Sequence, residues 1–304
     1  MMSRRRSRQR DSRVNSLRLC ESDYPALFQA ADRYALQQQR LYFMLLAAQL
    51  ISLLVVSVAS LIPSPRVGGF VQLLCLLLAV VFSAVIQLAQ PNRQWYASRA
   101  LAESVKTITW RFAIRGEPFN VDDRTARALL SERLRSLLEQ NREVAQRFNR
   151  FLDGDYVTTK MQMIRGESFD SRKNWYHEGR IKDQKSWYAA KATHKSNRAK
   201  CSFVAIVALL ILGVCISVAR TALEWEISWP TEIAITATAA VLTWVQAKRF
   251  SELAAAYSLA ALEIGSIEVR LNDVHTDTDL SAFVGDAESA FSREHTQWAA
   301  RRDA

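Results

Sequence analysis

The side chains best suited to proton transfer or metal ligation are His177, His194, His275 and His295. Their spacing serves neither use. His177-Glu178 has no partner at ligand distance along the chain, and Glu294-His295 lacks the second histidine of a zinc-hydrolase helix. Cys20, Cys75, Cys201 and Cys215 have no metal-ligand spacing and compose no disulfide framework; they read as small buried hydrophobes. A Gly-rich phosphate loop and a nucleotidyltransferase-like acidic pair are both missing from the sequence. The reading is a non-enzyme with no catalytic residue, no metal and no cofactor. Arg180, Asp183 and Lys191 beside Trp187 and Tyr188 could hold an anion. A salt-bridge network between subunits is the plainer account of that cluster.

A different chemistry, the passage of solutes, is suggested by Gln72, Cys75, Ala79, Ser83, Gln87 and Gln90. These polar or small residues recur every three or four positions along an otherwise apolar helix. Such a stripe can line a pore or seat a neighbouring helix closely, and both readings stand. Gln49, Ser52 and Ser60 form a less regular set, and Thr236, Ala240 and Thr243 another, whose threonines can bond back to helix carbonyls.

The elements that must position these residues are four apolar runs: Leu41 to Ile62, Val67 to Ala89, Cys201 to Ala219, and Trp229 to Ala247. A helix of about 20 apolar residues crosses the hydrocarbon core, so the pattern predicts an all-α integral membrane protein with two transmembrane hairpins. The turn Pro63-Ser64-Pro65-Arg66 joins the first pair, and a link with Glu224 and Glu226 joins the second. Trp225, Trp229 and Trp244 resemble interfacial anchors. The first three runs hold no charged residue, and Gly213 is the rare glycine within a crossing. Proton relay, coupled transport and a carbonyl filter therefore lack their usual markers.

The net charge of +10 is unevenly spread. Residues 1–40 carry nine Arg against four acids, and residues 91–200 carry 23 Arg and Lys against 13. Basic loops stay inside, so the expectation is a multi-pass inner-membrane protein with both termini cytoplasmic. Residues 1–20 read as a disordered basic leader with the anionic leaflet as partner; no nucleic acid is expected. Residues 21–120 hold the first hairpin and flanking helices, 121–170 an amphipathic helix and loop, and 171–304 the second hairpin. A helix over Tyr24–Arg40 would be capped by Asp23, with Pro25 in its first turn. Helix two should run past Pro91 to Phe112 and end at Gly116-Glu117-Pro118. Asp122 or Asp123 should cap the next helix, whose apolar face includes Ala126, Leu130, Leu134 and Phe148. Asp153-Gly154-Asp155 reads as a break and Arg165-Gly166-Glu167-Ser168 as a loop. Helices over 171–200, 250–271 and 279–298 complete the expected set.

Local motifs on this layout carry a resemblance. In the first half they are Arg99, Ala102-Glu103-Ser104, Lys106, Trp110-Arg111 and Gly116-Glu117-Pro118-Phe119. In the second they are Tyr176, Arg180-Ile181, Asp183-Gln184, Trp187-Tyr188, Lys191-Ala192, Trp244 and Tyr257. The series closes with Phe283-Val284, Glu288, Ser292-Arg293-Glu294-His295 and Trp298. Together they resemble the SLATT group, the SMODS- and SLOG-associating two-transmembrane effectors, as two subtypes in tandem. The resemblance implies an oligomeric bacterial effector that forms a pore or disrupts the membrane in a conflict system. Its trigger would come from a nucleotide-sensing partner protein. Packing or regulatory roles would fall to Glu103, Lys106, Trp110, Arg111, Pro118, Arg180, Asp183, Trp187, Tyr188, Tyr257, Glu288, Glu294, His295 and Trp298. A non-conducting scaffold that recruits partners is the alternative.

Overall fold

The computed structural model describes residues 17–147, 154–223 and 229–300, with the backbone alone for Trp229 and residues 293–300. The Arg-rich leader to residue 16, Phe148, Asp153, and the link with Glu224, Trp225 and Glu226 lie outside the described residues. So do the side chains of Trp229, Arg293, Glu294, His295 and Trp298. The principal helices are α1 (Ala26–Val58), α2 (Pro65–Ala89), α3 (Pro91–Ile114), α4 (Asp123–Gln140) and α5 (Thr159–Gly166). After these come α6 (Phe169–Tyr176), α7 (Asp183–Ala222), α8 (Trp229–Lys248), α9 (Phe250–Arg270) and α10 (Asp277–Ala300). The described residues are all-α, with no strand. Three helical stretches, Ala26–Leu61, Pro65–Ile114 and Phe169–Ala222, are long and apolar enough to cross a membrane. The threonine-bearing α8 is not among them.

Two compact units divide the chain. The polar unit takes residues up to Gln37, Arg93–Ala189 and Ser258 onward; the apolar unit takes Gln38–Asn92 and Ala190–Tyr257. Each unit therefore draws helices from both halves of the sequence.

In the apolar unit, Pro65 opens α2 because its missing N–H is one the first turn leaves unbonded anyway. Gly68 lies against the Ala59 carbonyl, where a Cβ would approach to 3.2 Å. Gly213 of α7 faces Ala234 of α8 with room to spare, a built Cβ standing 3.8 Å away in ordinary contact. The outer faces are bare: Phe70, Val80, Phe203 and Val214 are exposed at 67%, 65%, 68% and 62%. Helix two does not run unbroken past Pro91. Gln90 adopts a left-handed conformation (φ 44°) and α3 restarts at Pro91, since proline cannot donate the bond that would continue the ladder. The cysteines are not buried: Cys20, Cys201 and Cys215 are exposed and Cys75 is half-buried, all as free thiols.

The polar unit has the ordinary core. Leu27, Leu101, Trp110, Phe112, Ile114, Phe119, Leu130, Leu134, Met161, Ile164 and Tyr176 are fully enclosed. Asp122 caps α4 by accepting from the Arg124 and Thr125 amides, and the Thr125 hydroxyl, helped by those amides, holds its carboxyl below the usual range. Asp23 does not cap α1. Its carboxylate accepts from the Cys20 amide within a short 3-10 turn, while the Ala26 amide donates to the Asp155 carbonyl. That reach is made beside Gly154, whose φ of 137° favours a residue without a side chain. Arg165 is not in a loop but in the last turn of α5. The last helix begins at Asp277, two residues early, because Thr276 and Asp279 exchange capping bonds.

Candidate functional site

Within the apolar core of the polar unit lies a buried ion pair. At its centre Arg180 donates to both oxygens of Glu288, at 2.8 and 2.7 Å, and Tyr176 O–H donates to the same carboxylate at 3.1 Å. Arg180 and Glu288 are 3% and 0% exposed. Burial pulls the guanidinium's pKa down, but the facing Glu288 outweighs it and holds Arg180 above its ordinary range. Burial, and then Glu288, pushes the Tyr176 phenol well up, so it stays a donor. Phe291 covers the guanidinium, 5.0 Å from its ring centroid. Above this pair Trp110 Nε1 donates to the Tyr24 hydroxyl at 3.1 Å, and burial likewise keeps Tyr24 protonated.

Arg180 reaches Glu288 from an irregular turn. Between α6 and α7 the backbone forms six residues of π-helix, His177–Lys182, a wider coil that accommodates one extra residue. Gly179 in that turn admits the chain: a Cβ there would strike the Leu17 carbonyl and come within 3.1 Å of Trp110. One residue on, Arg18 meets Asp183 at 3.1 Å. The Arg180 and Asp183 pairs are made within one chain.

Other arginines lash turns to helices. Arg165 donates to the Phe112 and Val121 carbonyls at 2.9 and 2.7 Å and to Asp123 at 2.9 Å. Arg172 donates to the Ile114 carbonyl at 2.9 Å and pairs with Asp277. Arg111 donates to the Gly285 carbonyl and to Ser289 Oγ at 2.8 and 2.6 Å. Gly116 sits so close to α10 that a Cβ would lie 2.5 Å from Val284. Glu103 binds Arg99 at 2.6 Å, with Lys106 at 3.9 Å and Asp32 on the far side of Arg99. Burial pulls the Lys106 ammonium down.

The sequence-derived residues separate into groups. Glu103, Lys106, Trp110, Arg111, Arg180 and Glu288 all join the interior of the polar unit, and Pro118 stands half-buried in the turn after α3. Tyr188 is buried and stacks edge-on with the more exposed Trp187, ring centroids 5.0 Å apart. Tyr257 lies half-buried in the apolar unit. Of the stripe on α2, Gln72 donates to the Val56 carbonyl at 3.3 Å and Ser83 accepts from Gln49 at 3.0 Å. Ala79 is buried, Cys75 is half-buried, and Gln87 and Gln90 are exposed. Sequence reasoning missed Arg165, Arg172 and the Asp32–Arg99 pair. For Arg165 a signal existed, because it follows Met161 and Ile164 at helical spacing.

No group of three or more metal-ligating side chains occurs among the described residues. A recess of about 520 Å³ is lined by His177, Lys173, Lys185 and Glu268 with Asp170 and Asn272. Glu268 there accepts from Lys185 at 2.7 Å and contacts His177 at 3.1 Å. Lys173 at the same cleft donates to the Val274 carbonyl at 2.7 Å.

Residues 25–173 match the SMODS and SLOG-associating 2TM effector domain 3, and residues 176–298 match domain 1 of the same series. No curated protein and no solved structure matches the chain. The junction between the two matches falls at the end of α6, just before the π-helical turn. Contacts such as Arg111–Gly285, Arg172–Asp277 and Gly116–Val284 interlock the two segments within one unit. The chain belongs to the SLATT family of effector domains, two of which lie in tandem along nearly its whole length.

Proposed function

We propose that the protein is an oligomeric inner-membrane effector whose apolar unit crosses the bilayer and opens a poorly selective path when its polar unit is perturbed. The observation that carries this reading is the bare Leu, Val and Phe surface on helices long enough to span hydrocarbon. Water would penalise each such side chain by about 1.5–3 kcal/mol, whereas lipid accepts it. Four crossings, with α8 as the fourth, put both termini on the basic, cytoplasmic side. The polar unit is the regulated part, and its partner is a SMODS- or SLOG-type nucleotide-handling protein, by the association that the family's name records. One chain with four crossings encloses little space, so conduction belongs to the assembly.

The test is release of a small dye from liposomes of anionic lipid that contain the reconstituted protein. Release that rises with oligomer content, and grows when Glu288→Gln loosens the polar unit, supports the reading. Tight vesicles containing correctly assembled oligomer, in the wild type and the variant alike, overturn it. One observation favours the scaffold alternative: Gln72 and Ser83 spend their hydrogen bonds on α1. Gln72→Leu and Ser83→Ala separate the two, because a scaffold loses assembly while a pore lined by these residues loses only flux.

A further inference from the structure

Lys248 ends α8, and Lys195 lies on α7 six residues before the apolar run that begins at Cys201. Both belong to the apolar unit. Lys248 Nζ stands 3.1 Å from the Phe43 ring centroid and 4.7 Å from that of Trp244, and the two rings meet edge to face at 5.7 Å. Lys195 Nζ lies 5.3 Å from the ring of Phe250. Both lysines are half-buried. Among the described residues neither has a carboxylate within ion-pair distance; Glu252, the nearest acid along the chain, is taken by Arg249. Lys248 lies in the field of Lys195, and Lys195 in that of Lys191.

An ammonium has three N–H donors, and an aromatic face satisfies one direction of approach. Two like charges, partly withdrawn from water and lacking an acceptor, are costly. An anion that accepts from both would remove the repulsion and satisfy the donors together. The location narrows its chemistry. On the membrane reading, Phe43 and Trp244 sit just inside the hydrocarbon edge and Lys248 at it. Lys195 lies about 9 Å further along its helix, within reach of the phosphate layer by its flexible side chain.

We infer that Lys195 and Lys248, backed by Phe43, Trp244 and Phe250, form a site for the phosphate of an anionic phospholipid headgroup in the inner leaflet. The lysines take the phosphate oxygens and the rings flank the glycerol and upper acyl carbons. The site rests on the membrane reading above, and its failure is distinguishable from failure of that reading.

Full-length protein purified in detergent is exchanged against phosphatidylglycerol, phosphatidylcholine or sodium phosphate, and bound lipid is counted by native mass spectrometry. Wild type should retain phosphatidylglycerol over phosphatidylcholine, and Lys195→Gln/Lys248→Gln should weaken that retention about tenfold or more. Arg142→Gln, an exposed change in the polar unit, should leave it unchanged. If the double variant does not assemble, Lys248→Gln alone must still lose selectivity and Lys195→Arg/Lys248→Arg must keep it. Equal selectivity in wild type and the Gln variants overturns the proposal. So does displacement of the lipid by millimolar inorganic phosphate, which would make this a free-anion site. Protein that fails to float with vesicles breaks the membrane reading itself; protein that floats but ignores headgroup charge breaks the lysine site alone.

Discussion

The two units invert each other. In the polar unit Trp110, Tyr176 and Phe112 are sealed and Arg180 with Glu288 is sealed among them, whereas the apolar unit turns its Leu, Val and Phe outward. In the first, the buried Arg180 is matched to Glu288, because an unpaired charge in a low dielectric is expensive. In the second, Gly68 lets α2 approach the Ala59 carbonyl closely, and on the proposed membrane reading hydrocarbon outside removes the hydrophobic drive for helices to associate. On the proposed membrane reading, the difference teaches that one sequence is written for two solvents, and that a given substitution should have opposite meanings in the two units.

The strongest way to break the comparison is to remove half of the buried pair. Glu288→Ala should cost about 3–5 kcal/mol of the polar unit's stability, read as a lowered thermal midpoint; a loss below about 1 kcal/mol would mean that water already reaches Arg180. The reciprocal change belongs in the apolar unit. Leu77→Arg, on an exposed position of α2, should cost about 2.5–3.5 kcal/mol of membrane insertion, measured by a glycosylation-reporter assay, where the same change on a water-facing helix is neutral. Gly179→Ala should cost about 1–3 kcal/mol by overpacking against the Leu17 backbone and Trp110. An unchanged midpoint would show that residues 17–18 yield without consequence.

The smallest effect is acid sensitivity at Glu268. Its hydrogen bond from Lys185, with His177 adding to it, lowers the carboxyl below its ordinary value. Stability from that group is present above the unfolded value, about 4.3, and is lost as pH falls through the lower folded one. Lys185 is 44% exposed, so the contribution is screened to about 0.5 kcal/mol or less. Glu268→Gln should flatten the stability profile on the acid side by that amount; a slope unchanged in the variant would assign the acid sensitivity to other carboxylates.

What was legible in the sequence followed from periodicity and length. Apolar runs, Asp122 as a cap, and the stop at Gly116-Glu117-Pro118 all depend on neighbours a few residues away, so local rules sufficed. The misreadings share a different cause. Asp23 has the right type for a cap, yet the Ala26 amide is satisfied by Asp155, far along the chain. Arg165-Gly166-Glu167-Ser168 has loop composition, but Met161 and Ile164 are buried beside it and carry Arg165 into the core. Cys75, Cys201 and Cys215 read as buried because they sit in or beside apolar runs, which holds only for a helix surrounded by protein. Arg180 and Glu288 were both singled out as motif residues, but their pairing, 108 positions apart, has no signature in one sequence. Interior ionic contacts depend on the tertiary fold, and periodicity carries no information about partners.

The tandem arrangement sets a rule of counting. Two effector segments share one chain and are interlocked through Arg111, Arg172 and Gly116, so they cannot exchange partners or vary in ratio. Any ring of n chains holds 2n segments, always an even number, with the two kinds strictly equal. Contacts in such a ring are of two kinds, those within a chain, fixed by covalent linkage, and those between chains, made by association. The concentration dependence of assembly then reports only the second kind, and a ring can grow or lose members only in steps of two segments.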